Sequence, residues 1–256
     1  MEKRRLRGGT VQTPAADSSH AHLKAFVDRR RDPDTKKEAV LRTAVRLFLE
    51  RGFWRTSLSD VAGQLNITKP ALYHYFANKE DIYLACYRWG ISLITTDLER
   101  IRARQCSGLE KVASFIYTYG IVIAGDFGRC VVRQDDRELS PGARAEVRAY
   151  KRDVDLYLRS FIQEGIDDGT IRSCDVKITA FSIAGAVNSL AHWFKPDADL
   201  SAKQVVARFA ETLTQGIANR RPIRFRIPDF DHASKPDISI YGKIAQQAPA
   251  KLRKQL

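Results

Sequence analysis

The sequence predicts an all-α protein, and three features of its 256 residues support this prediction. Apolar residues recur at helical spacing along most of the chain after residue 34. Polar capping residues stand where these patterns begin, and no alternating strand pattern longer than a few residues appears before the C-terminal tail. We expect a disordered basic arm over residues 1–34, short helices over residues 35–88, a bundle of longer helices over residues 89–219, and a basic C-terminal extension over residues 220–256.

Helix-capping residues set the expected helix boundaries. The predicted starts are Thr35 with Glu38, Ser57 with Asp60, Thr68, Asn78 with Asp81, Ser140 before Pro141, Asp175, and Ser201 with Gln204. Gly52 and Gly169 are expected to follow the ends of two of these helices, because glycine accepts the left-handed backbone found there. Apolar runs also predict a helix over Leu109–Ala124 and one continuous helix up to Phe194. The last helix is expected to end near Asn219.

The segment from Ser57 to Phe76 contains two short helical patterns separated by a break. Asn66 lies at the break, where a left-handed backbone is usually needed and asparagine is tolerated. Thr68 is the expected N-cap of the second helix, and Pro70 fits its first turn because that N–H has no partner within the helix. Two short helices joined by a tight turn are typical of the helix-turn-helix, whose second helix enters the DNA major groove.

The same segment closely resembles the DNA-binding region of the TetR/AcrR family of bacterial transcription regulators. The family pattern is a small or polar cap, a basic residue, Gly or Pro, then L-Y-x-Y-F and K-E-x-L. The matching residues here are Thr68-Lys69-Pro70, Leu72-Tyr73-His74-Tyr75-Phe76, and Lys79-Glu80 with Tyr83. Asn66 replaces the usual turn glycine, and Tyr83 replaces the usual leucine. The resemblance implies a three-helix DNA-binding domain over residues 35–88 and a ligand-binding and dimerisation domain over residues 89–219.

The resemblance and the motif together predict which residues contact DNA. They are Thr56, Ser57, Thr68, Lys69, Pro70, Ala71, Tyr73, His74 and Lys79. Lys79 stands at a helix N-terminus, where its charge opposes the helix dipole unless an anion lies nearby. A DNA phosphate is the expected anion, bound jointly with the free backbone N–H groups. The matching lysine in TetR-like proteins commonly contacts the DNA backbone, which implies the same role.

The net charge of +13 is unevenly distributed along the chain. Residues 35–90 carry 9 basic and 5 acidic side chains, whereas residues 91–218 carry 17 of each. Both terminal arms, residues 1–34 and 220–256, are also basic, with net charges of +3 and +6. This layout favours a small DNA-binding segment joined to a neutral body over a nonspecific polyanion binder.

Several classes of function are disfavoured by the sequence. The four cysteines are far apart and no histidine pattern lies near them, which predicts no metal site and a reduced, cytoplasmic protein. No apolar run is long enough to span a bilayer, so no membrane partner is expected. The phosphate-loop, zinc-protease and nucleophile-elbow motifs are missing, so we predict no catalytic residues and no enzyme activity.

Two C-terminal helical patterns predict a homodimer. The pattern over residues 176–194 is apolar nearly all round and requires cover on more than one side. The final helix has an apolar stripe, and an interior role within one subunit is the alternative for both helices. In TetR-like proteins the last two helices form the dimer, and paired half-sites on DNA require two-fold symmetry. The predicted interface residues are Val187, Leu190, Phe194, Val206, Phe209 and Leu213.

Aromatic residues are dense in the expected helical body, where a ligand site between helices would be mainly apolar. The candidate ligand-binding residues are Trp89, Phe115, Tyr119, Phe127, Arg133, Tyr150 and Tyr157. An ordinary packed core is the alternative.

The run over residues 133–141 and the stretch over residues 184–209 resemble a branch of the family that represses lipid, sterol or aromatic-acid breakdown genes. Regulators of that branch commonly respond to acyl-CoA thioesters. The candidates for binding the phosphates of CoA are Arg88, Arg129, Arg133 and Arg137, and ordinary solvated surface charge is the alternative for each of them.

The resulting hypothesis is a homodimeric transcriptional repressor that binds a palindromic, double-stranded operator. A small hydrophobic effector would release it, for which the resemblance implies an acyl-CoA thioester, and no other cofactor is expected. An activator of the same family and a constitutive architectural DNA-binding protein are the alternatives. The architectural alternative does not account for a large neutral body rich in aromatic residues.

Overall fold

The computed structural model describes residues 33–219, which form an all-α fold. The predicted N-terminal arm, residues 1–34, lies almost entirely outside this range, and the C-terminal extension, residues 220–256, lies wholly outside it. The α-helices are α1 Pro33–Arg51, α2 Leu58–Gln64, α3 Lys69–Tyr73, α4 Lys79–Ala103, α5 Gly108–Ala124, α6 Asp126–Arg133, α7 Pro141–Asp167, α8 Val176–Asn188, α9 Leu190–Trp193 and α10 Ala202–Ile217. A 3₁₀ turn, Asp136–Glu138, precedes α7.

Helices α1 to α3 form an N-terminal head, which α4 joins to the body. The buried residues of the head, such as Val40, Leu47 and Leu72, form one apolar cluster that continues into the first turns of α4 and onto α6 and α7. Phe53 and Tyr83 join this cluster with their rings 5.7 Å apart in an edge-to-face arrangement. The head therefore packs directly on part of the body.

The body is organised around α5, the most thoroughly buried helix. Helices α4, α6, α7, α8, α9 and α10 all pack against it. Two glycines allow close approach to neighbouring helices. A Cβ at Gly108 would lie 2.0 Å from the backbone N of Gly165 on α7, and a Cβ at Gly120 would lie 2.6 Å from Cγ1 of Val206 on α10. A second apolar cluster, centred on α5, fills the body.

Most of the predicted helix boundaries are confirmed, because caps are local features. The side chains of Ser57, Thr68, Asn78, Ser140, Asp175 and Ser201 all accept the expected backbone hydrogen bond. Gly52 and Gly169 have positive φ angles of 88° and 76° at the ends of α1 and α7.

Two expectations about helices were wrong, and one helix was missed. Helix α1 begins at Pro33, two residues before Thr35. The helix predicted to continue to Phe194 is interrupted at Ser189, so that α8 and α9 are separate. Helix α6 was not expected at all, because it follows Gly125 and no side-chain cap marks its start. Within residues 33–219 no single helix is long and apolar enough to cross a membrane, and α5 with α6 meets the length only as a pair bent by 85°.

Candidate DNA-binding surface and ligand cavity

The turn between α2 and α3 has the geometry that its sequence predicts. Ser57 and Asp60 form a reciprocal capping box that starts α2, with Ser57 N donating to Asp60 Oδ2 at 2.7 Å. These hydrogen bonds lower the pKa of the Asp60 carboxyl. Asn66 has a φ of 53°, the left-handed conformation expected at the break. Thr68 Oγ1 accepts the N–H of Ala71 at 3.3 Å and starts α3. The caps and the turn of the helix-turn-helix are thus formed by local hydrogen bonds.

Helix α3 presents a polar surface on one side and is anchored by apolar side chains on the other. Leu72 is fully buried and Phe76, just after the helix, is nearly so. The predicted DNA-contacting residues of this helix lie on the outer side. Thr68, Lys69, Pro70, Tyr73 and His74 are exposed, and Ala71 is half-buried. The Tyr73 side chain is 46% exposed, and Lys69 Nζ lies 5.8 Å from the centre of its ring.

The two predicted DNA-contacting residues before α2 differ from each other. Ser57 is exposed at the N-terminus of α2, where a phosphate can approach. Thr56 is buried, and its hydroxyl donates to the carbonyl oxygens of Leu47 at 3.3 Å and Gly52 at 2.9 Å. The prediction for the Thr56 side chain was therefore wrong, because this hydroxyl closes the turn after α1.

Lys79 is half-buried, and its side chain turns back towards the loop between α1 and α2. The ammonium donates to the carbonyl oxygens of Phe53 at 2.6 Å and Thr56 at 3.1 Å. It also lies 4.4 Å and 5.1 Å from the ring centres of Phe53 and Trp54. Burial lowers the pKa of this ammonium. Two of its three N–H groups are therefore used within the protein, so the predicted phosphate contact needs the third.

A cavity of about 310 Å³ lies in the body between α4, α5, α6, α7 and α8. Its wall is mainly aliphatic and aromatic, including Ile94, Phe115, Val122, Val131, Val154 and Leu158. Lys151 and Phe181 are its exposed lining residues and mark the side where the cavity reaches the surface. Its size and apolar wall are typical of small-molecule sites.

Three of the seven predicted ligand-binding residues, Phe115, Tyr119 and Phe127, line this cavity. Trp89 does not line it but supports the wall, with its ring 4.7 Å from that of Phe127. Tyr150 stacks on Tyr87 at 6.0 Å on the head side of the body. Whether an aromatic side chain lines the cavity depends on which side of its helix faces the cavity. The density of aromatic residues in the sequence does not reveal that side.

The remaining two predicted ligand-binding residues, Arg133 and Tyr157, have structural partners outside the cavity. The Tyr157 hydroxyl donates to Glu99. Arg133 Nε donates to the carbonyl oxygen of Ala191 at 2.7 Å and so joins the end of α6 to α9.

The other arginines proposed for phosphate binding also have partners within the protein. Arg88 forms a two-pronged ion pair with Glu146, at 2.6 Å and 2.9 Å, and this hydrogen bonding raises the pKa of its guanidinium. Arg129 pairs with Asp126 and Arg137 with Asp135. The described part of the chain therefore offers no ready-made cluster of unpaired arginines for a polyphosphate among these candidates.

The sequence-based prediction included Tyr119 but missed Asn188, its polar partner in the cavity wall. The hydroxyl of Tyr119 donates to Oδ1 of Asn188 at 2.7 Å, and both residues line the cavity. Burial raises the pKa of Tyr119 to about 12, and the bond to Asn188 partly opposes this shift. A lone asparagine at the end of an otherwise apolar helix pattern was the available signal.

Four of the six predicted dimer residues are buried within one subunit. Val187, Leu190 and Phe194 belong to the body core, and Val206 packs against Gly120 with none of its surface exposed. These four predictions were wrong, because an apolar helix face looks the same in sequence whichever partner covers it. Phe209 and Leu213 are partly buried against the same core.

Several apolar side chains on α8 and α9 are exposed in the isolated subunit. Ile178 and Phe181 are 60% and 52% exposed, and their spacing places them on one side of α8. Trp193 is 50% exposed and stacks on Phe209 of α10 at 6.0 Å. We call Ile178, Phe181, Trp193, Phe209 and Leu213 the outer apolar surface.

The described residues include no group of three or more His, Cys, Asp or Glu side chains placed to hold a metal ion. Cys86, Cys106, Cys130 and Cys174 are free thiols. Burial raises the pKa of Cys86 and raises that of Cys130 to about 12, so neither has the thiolate character of a reactive cysteine.

Two family models match this chain. Residues 40–86 match the model described as "Bacterial regulatory proteins, tetR family". Residues 105–217 match "Tetracyclin repressor-like, C-terminal domain". The first match includes α2 and α3 with their turn, and the second includes the whole of α5 to α10, so the matches coincide with the DNA-binding surface and with most of the cavity wall.

Known regulators are similar to this chain along most of their length. The HTH-type transcriptional repressor KstR2 of Mycolicibacterium smegmatis is 25% identical over 193 residues, 74% of this chain and 94% of that protein. The fatty acid metabolism regulator protein of Bacillus subtilis is 24% identical over 188 residues, 71% of this chain and 95% of that protein. The crystal structure of AibR in complex with isovaleryl coenzyme A and operator DNA matches with a TM-score of 0.62 and 25% identity, covering 72% of this chain and 98% of AibR.

Proposed function

Because the chain belongs to the TetR family of transcriptional regulators, we propose that it is a cytoplasmic, ligand-responsive repressor that acts as a homodimer. The α3 helix of each subunit would lie in the major groove of one half of a palindromic operator. A small hydrophobic effector bound in the cavity would release the protein from DNA. The observation that carries this proposal is the position of α6 between the cavity and the head.

Helix α6 contacts the cavity on one side and the head on the other. Phe127 and Val131 of α6 line the cavity. Arg42 of α1 lies 5.8 Å from the ring centre of Phe127, and Tyr83 of α4 donates its hydroxyl to the carbonyl oxygen of Val131 at 3.2 Å. A ligand that displaces α6 would therefore move both α1 and α4. The separation of the two α3 helices on DNA would change with them.

An acyl-CoA thioester is the effector class that we favour. The apolar cavity suits the acyl group, and the CoA part would lie outside it, beyond Lys151. The similarity to AibR, whose structure was determined with isovaleryl coenzyme A and operator DNA, supports this choice. Lys151 already pairs with Asp136 at 2.6 Å, so phosphate binding there would have to replace this ion pair.

The dimer would form through the outer apolar surface rather than through the buried residues behind it. Burial of several exposed apolar side chains on association stabilises a complex, since each removes apolar area from water. Ile178→Asp would place a charge in this interface at high cost. Leu93→Asp is the matched control, because Leu93 is an exposed apolar residue on α4, outside the outer apolar surface. Sedimentation should show monomers for Ile178→Asp and dimers for Leu93→Asp.

Two measurements test the proposal as a whole. Fluorescence anisotropy with the DNA upstream of the gene should show saturable, salt-dependent binding that one class of acyl-CoA thioester reverses. Thermal unfolding of the full chain should show stabilisation by that thioester, about 2.7 kcal/mol at a concentration of 100 times its Kd. Binding to DNA that no thioester reverses, together with no thermal stabilisation, would contradict the effector and favour a constitutive DNA-binding protein.

A further inference from the structure

The wall of the cavity is apolar except at a few positions, and only some of these are available to a ligand. The charged residues Lys151 and Asp155 are engaged, with Lys151 paired to Asp136 at 2.6 Å and Asp155 paired to Arg159 at 2.5 Å. The remaining polar groups are the hydroxyl of Tyr87 and the hydrogen-bonded pair of Tyr119 with Asn188, which α5 and the last residue of α8 contribute. Residues far apart in the chain thus place one amide, that of Asn188, in the wall of an otherwise mainly apolar cavity.

The bond from Tyr119 fixes how the Asn188 amide is used. The tyrosine hydroxyl donates to Oδ1 and occupies one lone pair of this oxygen, while both N–H groups of Nδ2 remain as donors. Among residues 33–219 no acceptor is hydrogen-bonded to Nδ2. Because Asn188 lines the cavity, its unused donors are available to a bound molecule. A donor covered by an apolar ligand would lose its hydrogen bonds to water without replacement, which is costly.

We infer that the effector carries a carbonyl oxygen within its buried apolar part, and that Asn188 Nδ2 donates to this oxygen. Tyr119 is the positioning residue, because its hydroxyl holds the amide with the donors free. This inference rests on the proposed function, since it concerns the effector of the same cavity. It names a chemical feature that the apolar wall alone does not require.

The cavity volume limits the size of the buried part. An apolar cavity of about 150 Å³ holds one benzene molecule, so a cavity of about 310 Å³ holds an apolar group of roughly twice that size, about ten to twelve non-hydrogen atoms. The buried group is therefore a medium-length or single-ring ketone, ester or thioester.

Small probes of matched size test the role of Asn188 directly. Propiophenone and n-butylbenzene have the same number of non-hydrogen atoms, but only the ketone has an acceptor. Calorimetric titration of the full chain should show that Asn188→Leu weakens propiophenone binding about tenfold and leaves n-butylbenzene binding nearly unchanged. Tyr119→Phe should weaken ketone binding by a smaller factor, since the amide remains but can rotate.

A second substitution makes the test independent of packing. Asn188→Asp replaces the donors with acceptors in a side chain of the same shape. It should reverse the preference between propiophenone and its alcohol, 1-phenyl-1-propanol, in favour of the alcohol. Thermal unfolding and sedimentation of each variant establish that it is folded and has the same oligomeric state as the wild type.

Two outcomes would overturn the inference, and they differ in what they mean for the proposed function. If Asn188→Leu weakens both probes equally and Asn188→Asp leaves the preference unchanged, Asn188 is a packing residue and the carbonyl assignment is wrong. The cavity would remain the proposed effector site in that case. If neither probe binds the wild type, both the carbonyl assignment and the effector cavity fail, while operator binding is unaffected.

Discussion

The DNA-binding surface and the ligand cavity are built in opposite ways. The DNA-binding surface comes from one continuous segment between Ser57 and His74, and its caps and turn are local hydrogen bonds. The cavity is assembled from five helices whose lining residues span residues 87–188. Side chains of the DNA-binding surface are exposed and can be substituted without disturbing the core, whereas side chains that line the cavity also hold the body together. Substitutions should therefore separate DNA binding from effector response.

The largest effect that we predict is the loss of effector binding when the cavity is filled. Ala184→Trp places a ring in the space that a ligand's apolar group would occupy, so effector affinity should fall roughly hundredfold or more. Operator affinity without effector should stay close to that of the wild type. Ala149→Trp, on the exposed side of α7, is the control and should change neither value. A parallel loss of operator affinity in Ala184→Trp would show that the two regions are not separable.

The second prediction concerns the exposed face of α3. Tyr73→Ala should weaken operator binding by roughly 1–3 kcal/mol while the temperature of unfolding is unchanged, because the ring is half-exposed and contributes little to the core. Tyr73→Phe keeps the ring and removes only the hydroxyl. Comparing the two variants therefore shows whether the ring or the hydroxyl of Tyr73 contacts DNA. Anisotropy titrations against operator and scrambled DNA provide the measurement. Normal affinity in Tyr73→Ala would remove this residue from the DNA-binding surface.

The contrast between the two regions also explains what the sequence could predict. Residue type and immediate neighbours determine the caps at Ser57 and Thr68 and the left-handed backbone at Asn66. These features could therefore be predicted from the sequence. Thr56 was misjudged because its hydroxyl turns inward to carbonyl oxygens up to nine residues earlier in the chain.

The errors in the body have a different physical cause. Val187 and Val206 lie on apolar helix faces, and helical spacing does not distinguish a core partner from a second subunit. Tyr150 and Tyr157 are aromatic residues in the expected helix but point away from the cavity. Asn188 became recognisable only when α5 and α8 were placed side by side.

The third prediction concerns Lys79, which lies where the head meets α4. Lys79→Ala removes the hydrogen bonds to the carbonyl oxygens of Phe53 and Thr56, so the head should lose about 1–2 kcal/mol of stability after allowance for partial exposure. Lys69→Ala should not change stability, because the Lys69 side chain is exposed on α3. Thermal unfolding of both variants gives the comparison.

Salt dependence then decides whether Lys79 also binds a phosphate. Lys69→Ala should lower the slope of log affinity against log salt by about one ion per subunit. Lys79→Ala should lower it by less, since two of its three N–H groups are used within the protein. An equal reduction of the slope in both variants would show that the Lys79 ammonium neutralises a DNA phosphate in the complex as completely as Lys69 does.

The smallest predicted effect lies at the contact between the head and α6. Arg42→Ala removes a cation–π contact with Phe127 and Trp89, worth about 0.5–1 kcal/mol at an exposed site. The factor by which effector weakens operator binding should fall by about two- to fivefold, with intrinsic operator affinity nearly unchanged. Arg46→Ala, which removes an ion pair to Glu50 on the same helix, is the control. An unchanged coupling factor in Arg42→Ala would place the coupling elsewhere.

The central claim is that the cavity and α3 are energetically coupled, and this can be measured from the cavity side. Thermodynamic linkage requires that DNA weaken effector binding by the same factor by which effector weakens DNA binding. Effector affinity should therefore be determined by calorimetry with the free protein and with its operator complex, using the acyl-CoA thioester that stabilises the protein most. We predict affinity that is roughly 5- to 150-fold weaker in the operator complex. Equal affinity in the two states would show that the cavity does not control DNA binding.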